Sequence, residues 1–290
     1  MTGDGGVLAR SYLYVPGDQP QKLAKALDRG ADAVIADLED AVVPAAKATA
    51  RGIVADWLRT RPTRGDTEVW VRVNAGRAGH DDATAVVCTG LTGIIAAKTE
   101  HPGDVADLDA TLTSAEAATG LPVGGVAVVP LLESAAAVLR AADIARAPRV
   151  RRLQLGEADL RADIGATLGD AELELLHVRS QIVLVSAGCR LQPPVGPVAT
   201  DVRDLDRLRA STRALARLGF VGRACIHPAQ IPVVNEVFTP APAQIEAARS
   251  LVARFERAVA AGDAVVLDDT GRMVDEAVVR EARRVLARAR

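Results

Sequence analysis

The sequence predicts an α/β protein, a (β/α)8 TIM barrel carrying a C-terminal helical extension. Three observations carry this prediction. Short β-rich runs alternate with longer helical patterns from Ser11 onward. Those runs are apolar throughout, as in parallel strands covered by helices. Eight such units fit within residues 1–238, enough chain for a barrel.

The elements follow in order. SYLYV is the first strand, and QKLAKALDRG after it sets Leu23, Ala26 and Leu27 on one helical face with Gly30 as C-cap. AVIADL precedes a helix from Pro44 to Arg59, with proline suited to the first turn. EVWVRV, GIIAA, VAVVPLL and RRLQLG are strands three to six, each trailed by an Ala-rich helical segment. PVGPV is a weak seventh strand, because proline removes ladder donors, and RACI is the eighth. No GxGxxG follows the first strand, which counts against a dinucleotide fold. Residues 239–290 read as a helix from Pro242 to Ala261, an irregular segment DAVVLDDTGRMVD and a final helix. They form an extension or lid on the barrel, or on a neighbouring subunit, rather than a second catalytic domain.

Composition narrows the function classes. The chain has 290 residues, 49% hydrophobic and only 2% aromatic, which suits helices packed on buried strands. A formal net charge of −2 and dispersed basic residues leave no footprint for nucleic acid or membrane. The C-terminal arginines, Arg280, Arg283, Arg284, Arg288 and Arg290, read as the solvated face of the last helix. Cys88, Cys189 and Cys225 form no CxxC pair, so a disulfide framework or zinc site is not expected. MTGDGGVLAR lacks the apolar core of a signal peptide, and no run is long and apolar enough to span a bilayer. The expectation is a cytoplasmic protein.

A barrel gathers chemistry at the C-terminal ends of its strands. Those ends supply Asp37, Glu39 and Asp40, then Arg72 and Asn74, Lys98, Glu133, Glu157 and Asp159, Asp201, and His227. Several carboxylates with one Arg and one Lys suit a hard cation, and Mg²⁺ takes one or two protein carboxylates beside water and substrate. Bland readings stand beside this one. Asp40 can face solvent or cap a helix, Arg72 can be a structural counter-ion, and His227 can sit in a turn. Glu133 differs, since a charge ending VAVVPLLE is buried unless something compensates it. Lys98 as a Schiff-base amine is disfavoured by the carboxylates around it.

RSYLYVPGD, ADAVIADLEDAV, VRVNAG, VPLLESA, LGEADL, CIHPAQIPVVNEVF and GRMVD, in this order, resemble the citrate lyase β-subunit-like branch of the HpcH/HpaI aldolase superfamily. The resemblance implies a Mg²⁺-dependent TIM barrel acting on a C–C bond between a 2-oxo acid and a CoA or acyl-carrier thioester enolate. It implies Glu133 and Asp159 as metal ligands, with Glu133 also facing substrate, and Arg72 on the substrate oxygens. Glu39 and Asp40 would act through waters around the metal. Asp275 would reach a neighbouring subunit's site as acid or base, in a homotrimer or a larger assembly of trimers. Two positions depart from the family pattern, Ala97 before Lys98 and SAAAV after Glu133. The catalytic histidine of HpaI-type pyruvate aldolases is replaced here by DLED, which ranks that branch lower.

The function implied is lysis or formation of a 3-hydroxyacyl-CoA such as malyl-CoA or citramalyl-CoA. The alternatives are a citryl-thioester lyase subunit of a citrate lyase complex, and a condensation followed by thioester hydrolysis as in malate synthase. A non-catalytic barrel that binds CoA esters would not need the Glu133–Asp159 pair. Asp275 also has a plain reading, as the N-cap of the last helix.

Overall fold

The computed structural model describes residues 7–62, 66–261, 266–267 and 271–289. The N-terminal hexapeptide, Asp269 and Arg290 therefore lie outside the described residues. Seven parallel strands make the main sheet: β1 Ser11–Pro16, β2 Ala33–Asp37, β3 Glu68–Val73, β4 Gly93–Ala96, β5 Ala127–Leu132, β6 Gln154–Leu155 and β7 Arg223–Cys225. Their order is β6-β5-β4-β3-β2-β1-β7, so each strand from β1 to β5 lies beside its successor and β7 lies beside β1. This is an α/β fold whose sheet forms part of a barrel. The helix after β1 behaves as expected: Pro20–Ala26 buries Leu23 and Ala26, and Gly30 ends it at φ 78°. Pro44 opens a short 3₁₀ turn ahead of the helix Lys47–Thr60.

One expectation needs correction. PVGPV does not form a seventh strand, and the ring of eight strands becomes a sheet of seven. Val195 and Gly196 make single parallel bridges, to Gln154 and to Arg223. Pro193, Pro194 and Pro197 have no N–H to extend a ladder. Two buried arginines serve this segment's carbonyls instead. Arg152 donates from Nε to the Pro193 carbonyl (2.7 Å) and from Nη2 to that of Val221. Arg223 donates to the Pro197 carbonyl at 2.9 Å and to Thr212 Oγ1 at 2.8 Å.

Alternation along the strands decides what fills the concave side and what stands at its mouth. One buried cluster takes every second residue: Tyr12 from β1, Ala33 and Ile35 from β2, Trp70 from β3, Ile95 from β4, and Ala127, Val129 and Leu131 from β5. The same parity continues upward to Tyr14, Asp37, Arg72 and Glu133. On the β6 run it gives Arg152, Gln154 and Gly156. The strand-end residues singled out by the sequence thus sit on the positions that, one or two steps lower, make the core.

The chain divides into two compact units, Ala9–Asn235 and Glu236–Arg290 with the first eight residues. In the second, helices Pro242–Ala261 and Glu276–Leu286 share a small core of Val274, Val279, Leu251, Val252, Phe255 and Ala258. The segment expected to be irregular contains two short antiparallel strands, β8 Val266–Leu267 and β9 Met273–Val274. Gly271 before β9 has φ 79°, as a turn glycine should.

Gly93 tests this packing. It pairs directly with Trp70, and a Cβ there would lie 2.4 Å from the indole and 2.4 Å from the Ala127 carbonyl oxygen. Gly93→Ala should destabilise the chain by roughly 1–3 kcal/mol through overpacking, read as a lower urea midpoint. An unchanged midpoint would show that the strand spacing relaxes freely.

Candidate active site

Pairing across strands builds the first part of the site. Asp37 ends β2 directly opposite Arg72 on β3. Arg72 donates from Nε to Asp37 Oδ1 (2.7 Å) and from Nη2 to Oδ2 (2.5 Å), a two-pronged contact that only a planar guanidinium makes. Its Nη1 lies 3.1 Å from Glu39 Oε2, and its Cζ sits 4.9 Å from the centroid of the Tyr14 ring. Burial is the largest single influence and lowers the Arg72 pKa, but the hydrogen bonds to Asp37 and the negative charges of Asp37 and Glu39 together outweigh it, so the guanidinium is held above its ordinary value. Most of this arginine's binding capacity is therefore spent inside the protein. Asp37, which the sequence shows only as one acid among three, is its main partner.

Glu39 and Asp40 turn toward Lys98. The ammonium is 2.5 Å from Glu39 Oε1 and 3.4 Å from Asp40 Oδ1. The hydrogen bond with Glu39 raises the Lys98 pKa, which keeps it an ammonium and unfit as a Schiff-base amine. Lys98 has φ 52°, a left-handed conformation costly for a side chain of this size. That turn aims its backbone N–H at Glu133 Oε1, 2.6 Å away.

Glu133 is 7% exposed, and among the described residues no cation stands within ion-pair distance of it. Burial is the main cause that pushes its pKa up to about 7. The Lys98 N–H opposes the shift, while Glu39 and Asp159 add to it. Gly156 makes room for this carboxylate, since a Cβ there would lie 2.7 Å from Glu133 Cβ and 2.9 Å from Oε2. Asp159, in the first turn of helix Glu157–Ile164, is exposed and has neither ion pair nor hydrogen bond among the described residues. One cavity of about 340 Å³ is lined by Tyr14, Asp37, Asp40, Arg72, Glu133, Gln154 and Asp159, among others.

The remaining strand-end residues have structural duties. Glu157 takes Arg179 through two 2.6 Å bonds, and Arg179 also reaches Glu172. Asn74 joins Lys47 and Asp82 in a network that holds the Leu38 carbonyl. Asp201 accepts the N–H of Arg203, and His227 Nδ1 accepts that of Ala229, so both shape turns. Asp275 belongs to the second unit. Its Oδ1 accepts the N–H groups of Ala277 and Val278 at 2.9 and 3.0 Å, which makes it the N-cap of the last helix.

The donor set can be weighed against a metal. Among the described residues no three His, Cys, Asp or Glu side chains gather as a ready-made ligand cluster. A buried carboxylate with acidic neighbours and no counter-ion, beside an unpaired aspartate on an open cavity, fits a cation that takes few protein ligands and keeps positions for water. Tyr14, Gln154 and Gly156 were not singled out by the sequence. Their parity along β1 and the β6 run was the signal that locates them.

The HpcH/HpaI aldolase/citrate lyase family matches residues 10–228, and the chain belongs to it. The citrate lyase subunit beta of Leuconostoc mesenteroides subsp. cremoris is 33% identical over 282 residues, 96% of this chain and 92% of that protein. A (3S)-malyl-CoA thioesterase of Cereibacter sphaeroides is also 33% identical over 282 residues, covering 97% and 94%. Among solved structures, the CitE protein of Mycobacterium tuberculosis in complex with magnesium, acetoacetate and coenzyme A superposes with a TM-score of 0.76. It is 30% identical and covers 97% of both chains.

Glu133 imposes a pH dependence on the metal-free protein. A carboxyl with a folded pKa of about 7 and an unfolded value of about 4.3 withholds no stability below the lower value. As pH rises from there through 7 the unfolded chain releases the proton more readily, so stability falls. Urea midpoints in EDTA should show wild type losing stability relative to Glu133→Gln over that interval. Parallel profiles would mean that the carboxyl is not raised.

Proposed function

We propose that this member of the HpcH/HpaI aldolase/citrate lyase family is a Mg²⁺-dependent carbon–carbon lyase. Its substrate is a 3-hydroxyacyl-CoA such as malyl-CoA or citramalyl-CoA, cleaved to an acyl-CoA and a 2-oxo acid or formed from them. The observation that carries the reading is Glu133, a buried carboxylate without a counter-ion that shares a cavity with the unpaired Asp159. These two would hold Mg²⁺, and the bound ion would polarise the ligand's oxygens and stabilise charge that develops on them.

The other residues then have roles by position. Arg72, fixed by Asp37 and Glu39, supplies positive charge at the cavity wall while its geometry stays rigid. Glu39 and Asp40, held by Lys98, order water at the mouth, and the exposed Asp40 takes the substrate hydroxyl proton through that water. The C–C bond breaks as the hydroxyl carbon becomes the ketone carbon, and its electron pair passes to the thioester enolate. Asp275 protonates the enolate carbon. In this reading Asp275 serves a neighbouring subunit of a cytoplasmic homotrimer, and the second unit is the lid that carries it. Capping does not exclude this, because both cap bonds fall on Oδ1. The scaffold would be the eight-position barrel, with Val195–Gly196 standing in for the seventh strand.

The thioesterase relatives favour a second reading, hydrolysis of the same malyl-CoA thioester. Products separate the two. Incubation of malyl-CoA with Mg²⁺ should release glyoxylate and acetyl-CoA in equal amounts, with no rise in free thiol. EDTA, Glu133→Ala or Asp159→Ala should each lower the rate by on the order of 10²–10³. Free CoA and malate without glyoxylate would establish the thioesterase reading instead.

The role of Asp275 has its own test. Asp275→Ala should fold, bind Mg²⁺ and thioester, and fail to turn over. Mixed with inactive Glu133→Ala subunits, it should regain part of the activity, since an intact metal pair then meets an intact Asp275. No recovery in verified mixed oligomers would remove Asp275 from a neighbour's site.

A further inference from the structure

The described residues that line the cavity with Glu133 and Asp159 include one hydroxyl whose proton is unspent. Tyr14 lies on β1 with its ring under the Arg72 guanidinium, 4.9 Å from Cζ. Its oxygen accepts a hydrogen bond from Gln154 Nε2 at 3.0 Å. Among the described residues nothing accepts the hydrogen that the Tyr14 hydroxyl itself carries. Burial pushes the phenol's pKa up, so that hydrogen stays in place over the working range of pH.

Gln154 is 2% exposed, and its other amide atom, Oε1, has no partner among the described residues. An unsatisfied buried acceptor is destabilising. A leucine of similar volume would avoid that cost in the same position. What the amide does, and a leucine would not, is occupy a lone pair of Tyr14 and so set the direction of its O–H. Arg72 cannot take over this duty, because its fork is committed to Asp37 and its Nη1 lies against Glu39.

We infer that Tyr14 donates its hydroxyl proton to an oxygen of the 2-oxo acid, and that Gln154 is a positioning residue that aims it. The ligand class rests on the lyase reading, and the assignment of the donor rests on the pair itself. Tyr14 thus becomes a ligand-contacting residue outside the metal pair. Gln154 acts only through it.

The test is pyruvate binding in the presence of MgCl2, measured by calorimetry, with melting temperature followed alongside. Tyr14→Phe keeps the ring beneath Arg72 and removes only the donor. It should weaken pyruvate at least tenfold, 1.4 kcal/mol, with little change in melting temperature. Gln154→Leu should also weaken pyruvate while its melting temperature stays level or rises, which a purely structural glutamine would not allow. The double variant should bind like Tyr14→Phe alone, since one residue works through the other. Two results would overturn the inference with the lyase reading intact: Tyr14→Phe binding within twofold of wild type, or Gln154→Leu melting lower with unchanged affinity. A wild-type chain that binds neither pyruvate nor glyoxylate with Mg²⁺ overturns the lyase reading itself, and this inference with it.

Discussion

The ion pair between Asp37 and Arg72 is the contact on which the site's arrangement depends. It joins two neighbouring strands at their C-terminal ends, both partners are largely buried, and the register places them directly opposite one another. A single-residue slip of either strand would turn one partner to the other face of the sheet. Breaking a buried pair from one side costs about 3–5 kcal/mol, because a charge is left unpaired in a poor solvent. From this pair the rest can be traced. Asp37 Oδ1 also accepts the N–H of Glu39 at 2.9 Å, Glu39 holds Lys98, and the Lys98 backbone holds Glu133. The chain of contacts runs from β2 to β3, to the end of β4 and on to β5.

Charge is distributed unevenly along that chain. Positive groups accumulate around Asp37, Glu39 and Asp40, where Arg72 and Lys98 satisfy them. One step further on, Glu133 has a backbone N–H for company and, among the described residues, no cation within ion-pair distance, with Arg72 acting on it only at longer range, and Asp159 has no partner among the described residues. Uncompensated carboxylates at a cavity wall are expensive in isolation. A bound cation removes that expense, which is why the proposed metal pair lies here and not in the DLED cluster. The DLED acids would then govern water and Lys98, a duty their hydrogen bonds already describe.

Small residues shape the space as much as charged ones. Gly156 leaves room for the Glu133 side chain, and Gly93 leaves room for Trp70 beneath it. The proline-bounded Val195–Gly196 segment shows a different accommodation. It gives up a ladder, and Arg152 and Arg223 supply the donors that a strand would have supplied. Both arginines are almost fully buried, so their planar, multi-donor heads are used for backbone carbonyls rather than for solvent or ligand.

Much of this was legible in the residues alone. Apolar runs located all seven strands of the main sheet and the ends that carry Glu133, Asp159 and Arg72, because side-chain alternation is a property of the backbone itself. The order of motifs carried the family, and the helix-breaking glycine at Gly30 and the cap at Asp275 followed from local chemistry. What the sequence could not decide was partnership. That Arg72 commits to Asp37, that Lys98 turns left-handed to reach Glu133, that Glu157 is consumed by Arg179, and that Tyr14 meets Gln154 across 140 residues depend on register and curvature. Those are set by the packing of the whole sheet, and no local run of residues encodes them.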